Sequence, residues 1–205
     1  PVSGQFRHYR HDENTPHSLS ADGITDILAD NHGSLWVGTY GGGLNRFNRE
    51  SGTFEHFRHR DGDSDSLSTD RILTLHQSRD GSLWIGTEGG GLNRLDISTG
   101  KFTRYRHQSG DSKSLSNDTP LSILEDRGGD LWVGTWGGGL NRWRAEDRLA
   151  GQVRFKRYGK KQGFLSSVIY DIVADGQGDL WLSTNRGLTR FDPVAEQVTS
   201  YDVSH

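Results

Sequence analysis

An all-β fold of four-stranded antiparallel sheets is predicted by three features of this 205-residue chain. One block recurs four times, as D-N-H-G-S-L-W-V-G-T-Y-G-G-G-L-N-R-F at residues 30–47 and in near copies at 80–95, 126–143 and 175–191. Its tryptophans, Trp36, Trp84, Trp132 and Trp181, stand 48, 48 and 49 residues apart, a period that belongs to stacked arrays, solenoids or propellers. Each copy also holds four short runs rich in aromatic and β-branched residues and bounded by turn residues.

The first strand is read at residues 24–29, 72–76, 121–124 and 169–174. Pro120 stands where other copies have Ile24 and Ile72, so the third copy's strand is expected to start one residue late. The second strand is L-W-V-G-T at 35–39 and its equivalents, the third L-N-R-F at 44–47. The fourth is F-E-H-F at 54–57, matched at 102–105, 155–158 and 198–201. Asp and Gly between strands one and two signal a tight hairpin, and G-G-G turns strand two into strand three. No segment has helical periodicity. Four strands per repeat point to propeller blades, approximately 19–57, 67–105, 115–158 and 164–201, with the recurrent tryptophans packed between neighbours. Residues 6–9 read as an orphan outer strand with no blade before it.

Composition narrows the function. The net charge is −3, with no basic patch for nucleic acid. There is no cysteine, which excludes disulfides and thiolate metal sites. No apolar run approaches the ~18 residues of a membrane span. The chain starts at Pro1 and has no Met, so it is expected to be a piece of something longer.

The D-x-x-G-x-L-W-x-G-T-x-x-G block, with S-L-S and Asp22, Asp70 or Asp118 before strand one, resembles the two-component regulator propeller repeat over residues 6–201. The resemblance implies the extracytoplasmic (periplasmic) input region of a hybrid sensor histidine kinase or diguanylate cyclase, joined to an inner-membrane protein through sequence not present here. At about 48 residues per blade, four blades and a spare strand suggest part of a larger, about seven-bladed ring. The fourth copy departs most: Ser183 replaces Gly, and T-N-R-G is one residue short.

Residues that repeat are read as scaffold, and residues that break the pattern as site. Arg46, Arg94, Arg142 and Arg190 recur in every copy and are expected to make a repeated structural bond. The repeated histidines, among them His8, His56, His11, His59 and His107, read as solvated outer-edge residues. Asp61, Asp63 and Asp65 begin like a calcium loop, but Ser66 and Ile72 stand where glycine and glutamate are needed. Tyr40, Glu88, Trp136, Asn185 and Arg186 occupy one varying row at the turn after strand two. With Arg71 and Tyr170 they form the candidate ligand-binding set, since aromatics stack on a sugar's apolar face and polar groups bond its hydroxyls.

The expected function is non-catalytic binding of a small molecule or oligosaccharide, without cofactor, metal, nucleic acid or membrane contact by this segment. The expected protein contacts are self-association through terminal blades or the remainder of a parent propeller. The alternatives are a propeller-type polysaccharide lyase or glycosidase, and a protein-interaction scaffold. The aspartate turn before each tryptophan weakly resembles the Asp box of sialidase-type propellers, a turn feature that does not imply hydrolysis. Residues 144–153 are read as a protruding insertion on the face opposite the site. The connection that follows is four residues shorter than its counterpart and is expected to open the site face near blade four.

Overall fold

The computed structural model describes residues 6–201. Its strands form four antiparallel sheets, each ordered as in the chain. Blade one comprises β1 (Ile24–Ala29), β2 (Leu35–Thr39), β3 (Gly43–Asn48) and β4 (Thr53–Phe57). Blade two comprises β5 (Ile72–Gln77), β6 (Leu83–Thr87), β7 (Gly91–Asp96) and β8 (Lys101–Tyr105). Blade three comprises β9 (Pro120–Glu125), β10 (Leu131–Thr135), β11 (Gly139–Trp143) and β12 (Phe155–Tyr158), with helix α1 (Ala145–Leu149) between the last two. Blade four comprises β13 (Ile169–Ala174), β14 (Leu180–Thr184), β15 (Gly187–Asp192) and β16 (Gln197–Tyr201). Pro120 opens β9 rather than delaying it: it pairs with Thr135 across a register shift that lies between Gly134 and Thr135, where the ladder does not need its missing N–H.

First strands run side by side, β1 against β5, β5 against β9 and β9 against β13. In blades one to three the second strand presents its tryptophan to the next blade. Trp36 is buried with Ile72 and Phe102, Trp84 with Leu131 and Trp143, and Trp132 with Ile169 and Phe191. The glycine two residues later permits this approach. A Cβ on Gly38 would stand 2.6 Å from Ile72 Cγ2, and one on Gly134 2.7 Å from Ile169 Cγ2.

Trp181 departs from the expected burial. It is half-buried, because no further sheet among the described residues covers blade four, and its ring stacks on Tyr201 instead. Ser183 has the room that Gly38 and Gly134 lack. The incoming face of blade one is open as well: Ile24 and Ile27 are 47% and 56% exposed, against 0% and 7% for their counterparts Ile72 and Leu75.

The orphan segment, residues 6–9, forms no strand. Its Tyr9 nevertheless packs edge-on against Phe47 at 4.9 Å. Tyr105 meets Trp143 edge-on at 4.8 Å, and Tyr158 meets Phe191 at 5.0 Å with the rings tilted. Tyr9 therefore keeps the place of an outer-strand aromatic without the ladder.

The loops between blades are built rather than merely solvated. His11, His59 and His107, which follow the outer strands, donate from Nδ1 to the carbonyls of Leu19, Leu67 and Leu115 at 2.7–2.9 Å, a bond that the solvated outer-edge reading did not include. His56 likewise donates to the Ser18 carbonyl at 2.7 Å. In the loop of Asp61, Asp63 and Asp65, Asp63 pairs with Arg60 and Asp65 with Lys101, while the Arg104 guanidinium donates to the carbonyls of Asp63 and Ser66. The insertion at residues 144–153 does not simply protrude. It folds as α1 and returns the nearly buried Arg148 to Glu125 at 2.8 Å.

Candidate ligand-binding face

The turns after β2, β6, β10 and β14 and the connections entering the first strands gather at one end of the blades. Tyr40 and Trp136 follow β2 and β10, where the flanking glycines leave the residue after the strand exposed. Tyr40 N donates to Gly23 O at 2.7 Å, and Trp136 N to Thr119 O at 2.9 Å. Single antiparallel bridges join Tyr40 to Arg71 and Trp136 to Val168.

The row resolves into three groups rather than one continuous ring. In the first, the Tyr40 hydroxyl donates to Glu88 Oε2, and the Arg71 guanidinium lies 5.7 Å from the Tyr40 ring centroid and 3.8 Å from Glu88. The Glu88 carboxylate, by holding the phenol proton, raises the Tyr40 pKa above its ordinary value. In the second group, the rings of Trp136 and Tyr170 meet edge to face at 6.0 Å. Both are large apolar surfaces left open, 53% and 43% exposed. In the third, Asn185 and Arg186 line a cavity of about 400 Å³ with Lys160, Phe164, Ser166 and Ser167. Hydrogen bonds from backbone N–H groups tie the groups together. Gly89 N donates to Thr119 Oγ1 at 3.1 Å, and Gly137 N to Ser167 O at 3.0 Å.

Sequence reasoning named Tyr40, Arg71, Glu88, Trp136, Tyr170, Asn185 and Arg186 and missed Lys160, Phe164, Ser166 and Ser167. Their signal was the shortened connection between β12 and β13, which breaks the period near blade four.

Two other polar clusters are structural. A larger cleft, about 690 Å³, lies between blades three and four at the opposite end. Of its cations, Arg142 is held by Asp130 and Arg190 by Asp179, both at 2.6 Å, while Arg127 donates to the Gly176 carbonyl at 2.9 Å. Arg46 pairs with Glu55 and Arg94 donates to Ser82. With Arg46, Arg94 and Arg142 also lying over Trp36, Trp84 and Trp132, the repeated arginines brace the blades. Between blades two and three, Glu125 accepts from Arg148 and from Arg79 N, both at 2.8 Å. Burial there pushes the His76 pKa down. The aspartates of the hairpin turns do not converge on a reaction centre. Asp30, Asp126 and Asp175 accept the indole N–H of Trp36, Trp132 and Trp181 at 2.7–2.9 Å.

The family model "two component regulator propeller" matches residues 18–41, 66–89, 114–137 and 163–186. Among solved structures, the chain is similar to the extracellular domain of BT3049 from B. thetaiotaomicron, described as a hybrid two-component system. The identity is 26% and the TM-score 0.79, over 94% of this chain and 26% of that one. The extracellular domain of BT4673 from the same organism, described as a one-component system, matches at 23% identity and TM-score 0.68, over 96% of this chain and 33% of that one. A gluconolactonase, XC5397 from Xanthomonas campestris, shares the fold at 15% identity and TM-score 0.61, over 87% of this chain and 61% of its own. The chain thus spans about a quarter to a third of the two extracellular domains. No curated protein matches the chain. The interval of the matched segments is that of the blades, and the chain is an all-β array of four two-component regulator propeller repeats.

Proposed function

We propose that this array is a ligand-sensing input segment of a bacterial signal-transduction protein, without catalysis of its own, and that its ligand is a carbohydrate. The sensing role is supported by the repeats themselves and by likeness to an extracellular domain of a two-component system. The same likeness supports an extracytoplasmic, periplasmic setting. No helix among the described residues is long and apolar enough to cross a membrane. The signal would pass through contacts of the terminal blades, with further blades of a parent ring or with a second copy.

One observation carries the ligand class. Trp136 and Tyr170 expose two aromatic faces beside hydroxyl, amide and charged groups, at positions where the repeat pattern does not require aromatics. Stacking on such faces, with polar groups fixing orientation, is how concave sites hold sugars. The gluconolactonase shares the fold only. The nearly buried Glu125 is taken up by the Arg148 guanidinium and by the backbone N–H of Arg79. A panel of neutral and acidic oligosaccharides, titrated calorimetrically into the protein and its Trp136→Ala and Tyr170→Ala variants, tests the reading. Binding that both variants lose at unchanged melting temperature supports it. Turnover of any panel member, or binding that neither variant alters, would overturn it.

A further inference from the structure

In blades one to three the turn after the second strand closes over a repeated buried network. Asn45, Asn93 and Asn141 each accept from the backbone N–H of Ser20, Ser68 or Ser116 at 3.0 Å. Each also donates to the same serine's hydroxyl at 2.7–2.8 Å. The middle glycine of each G-G-G lies directly on that serine. A Cβ on Gly42, Gly90 or Gly138 would come within 2.4, 2.3 or 2.2 Å of its Oγ. Nothing else fits between.

Blade four breaks this arrangement in three places at once. Thr189 replaces the asparagine, the turn x-G-G-G shortens to N-R-G, and the connection from β12 is four residues shorter. Leu165 stands where the other blades have Ser20, Ser68 and Ser116, and Ser166, the counterpart of Thr69 and Asn117, donates to Asn185 Oδ1 at 2.6 Å. Beside it lies the cavity of about 400 Å³, which Phe164 and Leu165 also line. Its lining carries two cations, Lys160 and Arg186, the hydroxyls of Ser166 and Ser167, and no carboxylate. Arg46, Arg142 and Arg190 are each paired with an acid. Lys160 and Arg186, among the described residues, form no ion pair.

Uncommitted cations beside hydroxyl and amide groups in a concave site match an oxyanion, which guanidinium and ammonium groups bind through charge-assisted hydrogen bonds. The cavity adjoins the aromatic pair, because Ser167 O accepts from both Gly137 N and Gly139 N in the turn that carries Trp136. We infer that the blade-four cavity is an oxyanion subsite, taking the carboxylate or sulfate group of a ligand that lies against Trp136 and Tyr170. The subsite stands on its own geometry, while the sugar ring on the aromatics rests on the function proposed above.

The test is a set of amide and indole nitrogen–proton NMR titrations of the 205-residue protein at low ionic strength. The probes are inorganic sulfate, D-glucuronate and D-glucose. Sulfate and glucuronate should shift the amides of Ser166, Ser167, Asn185 and Arg186, and glucose should not. The K160Q/R186Q double variant should weaken both anions at least tenfold at unchanged melting temperature, and K161Q should leave them unaffected. Absence of a sulfate shift at these amides, or equal sulfate affinity in the double variant, overturns the subsite. Sulfate shifts at the pocket with no sugar of any charge moving the Trp136 indole would keep the subsite and remove the sugar reading. Glucuronate that moves Trp136 but binds the double variant equally would do the reverse.

Discussion

Gly134 lies so close to Ile169 that a Cβ placed on it would stand 2.7 Å from the isoleucine Cγ2 and 2.5 Å from Ser122 Oγ. This contact sets how near blade four can come to blade three. Gly134→Ala should destabilise the protein by about 1–3 kcal/mol through overpacking. Ser183→Gly, the reverse change on the uncovered face of blade four, should cost no more than about 1 kcal/mol, the backbone penalty of glycine in a strand. Urea midpoints of the two variants check the asymmetry.

The tryptophans should divide in the same way. Trp84→Ala removes a fully buried ring between blades two and three and should cost about 3–5 kcal/mol. Trp181→Ala should cost less, because that ring is half-exposed and stacks only on Tyr201. Equal losses would mean that blade four is covered in solution.

Acid should weaken the array through the hairpin aspartates. Burial pushes the Asp30 carboxyl up, but donation from Trp36 and from the backbone of Ser34 and His32 more than offsets it and leaves its pKa below the ordinary value. Asp175 is lowered chiefly by the Trp181 indole. A depressed folded pKa means that the unfolded chain takes up the proton first. This stabilisation is complete above the unfolded value of about 3.9 and is lost as pH falls through the folded ones. Melting temperatures measured from about pH 6 downward should drop below about pH 4. Asp30→Asn, which cannot ionise, should flatten part of that fall.

Much of this molecule is legible in its sequence, because repetition separates scaffold from exception. The four strands of every blade, the packing of Trp36, Trp84 and Trp132, and the bracing role of the arginines follow from residues that recur in register. What stayed hidden depends on neighbours. Trp181 reads like its cousins but has no further sheet against it. Residues 6–9 have the composition of a strand but no third strand to pair with. The histidine bonds to loop carbonyls arise from the path of the connection, which no periodicity encodes. At the site, Tyr40, Glu88, Arg71, Trp136 and Tyr170 stood out as pattern breakers. Lys160 did not, since it enters only because a shortened connection brings it beside Arg186.

The open face of blade one supplies another prediction. Ile24 and Ile27 are exposed beside Leu35, Val37 and Tyr9, an apolar surface that the other blades bury. The protein should associate as its concentration rises, and Ile27→Glu should suppress association while changing stability by no more than about 0.5 kcal/mol. Light scattering of both proteins across a concentration series decides it. A wild-type mass that stays monomeric throughout would show that this face does not pair with a second copy.

The ligand-binding face can be read directly from the indoles. Trp36, Trp84, Trp132 and Trp143 are buried, Trp181 is half-buried, and Trp136 alone stands on the proposed face, 53% exposed. In an indole nitrogen–proton spectrum recorded during titration with the tightest-binding sugar of the panel, the Trp136 resonance should shift while the four buried resonances and Trp181 hold still. Saturable binding that moves Trp181, or moves no indole at all, would contradict the assignment of this face.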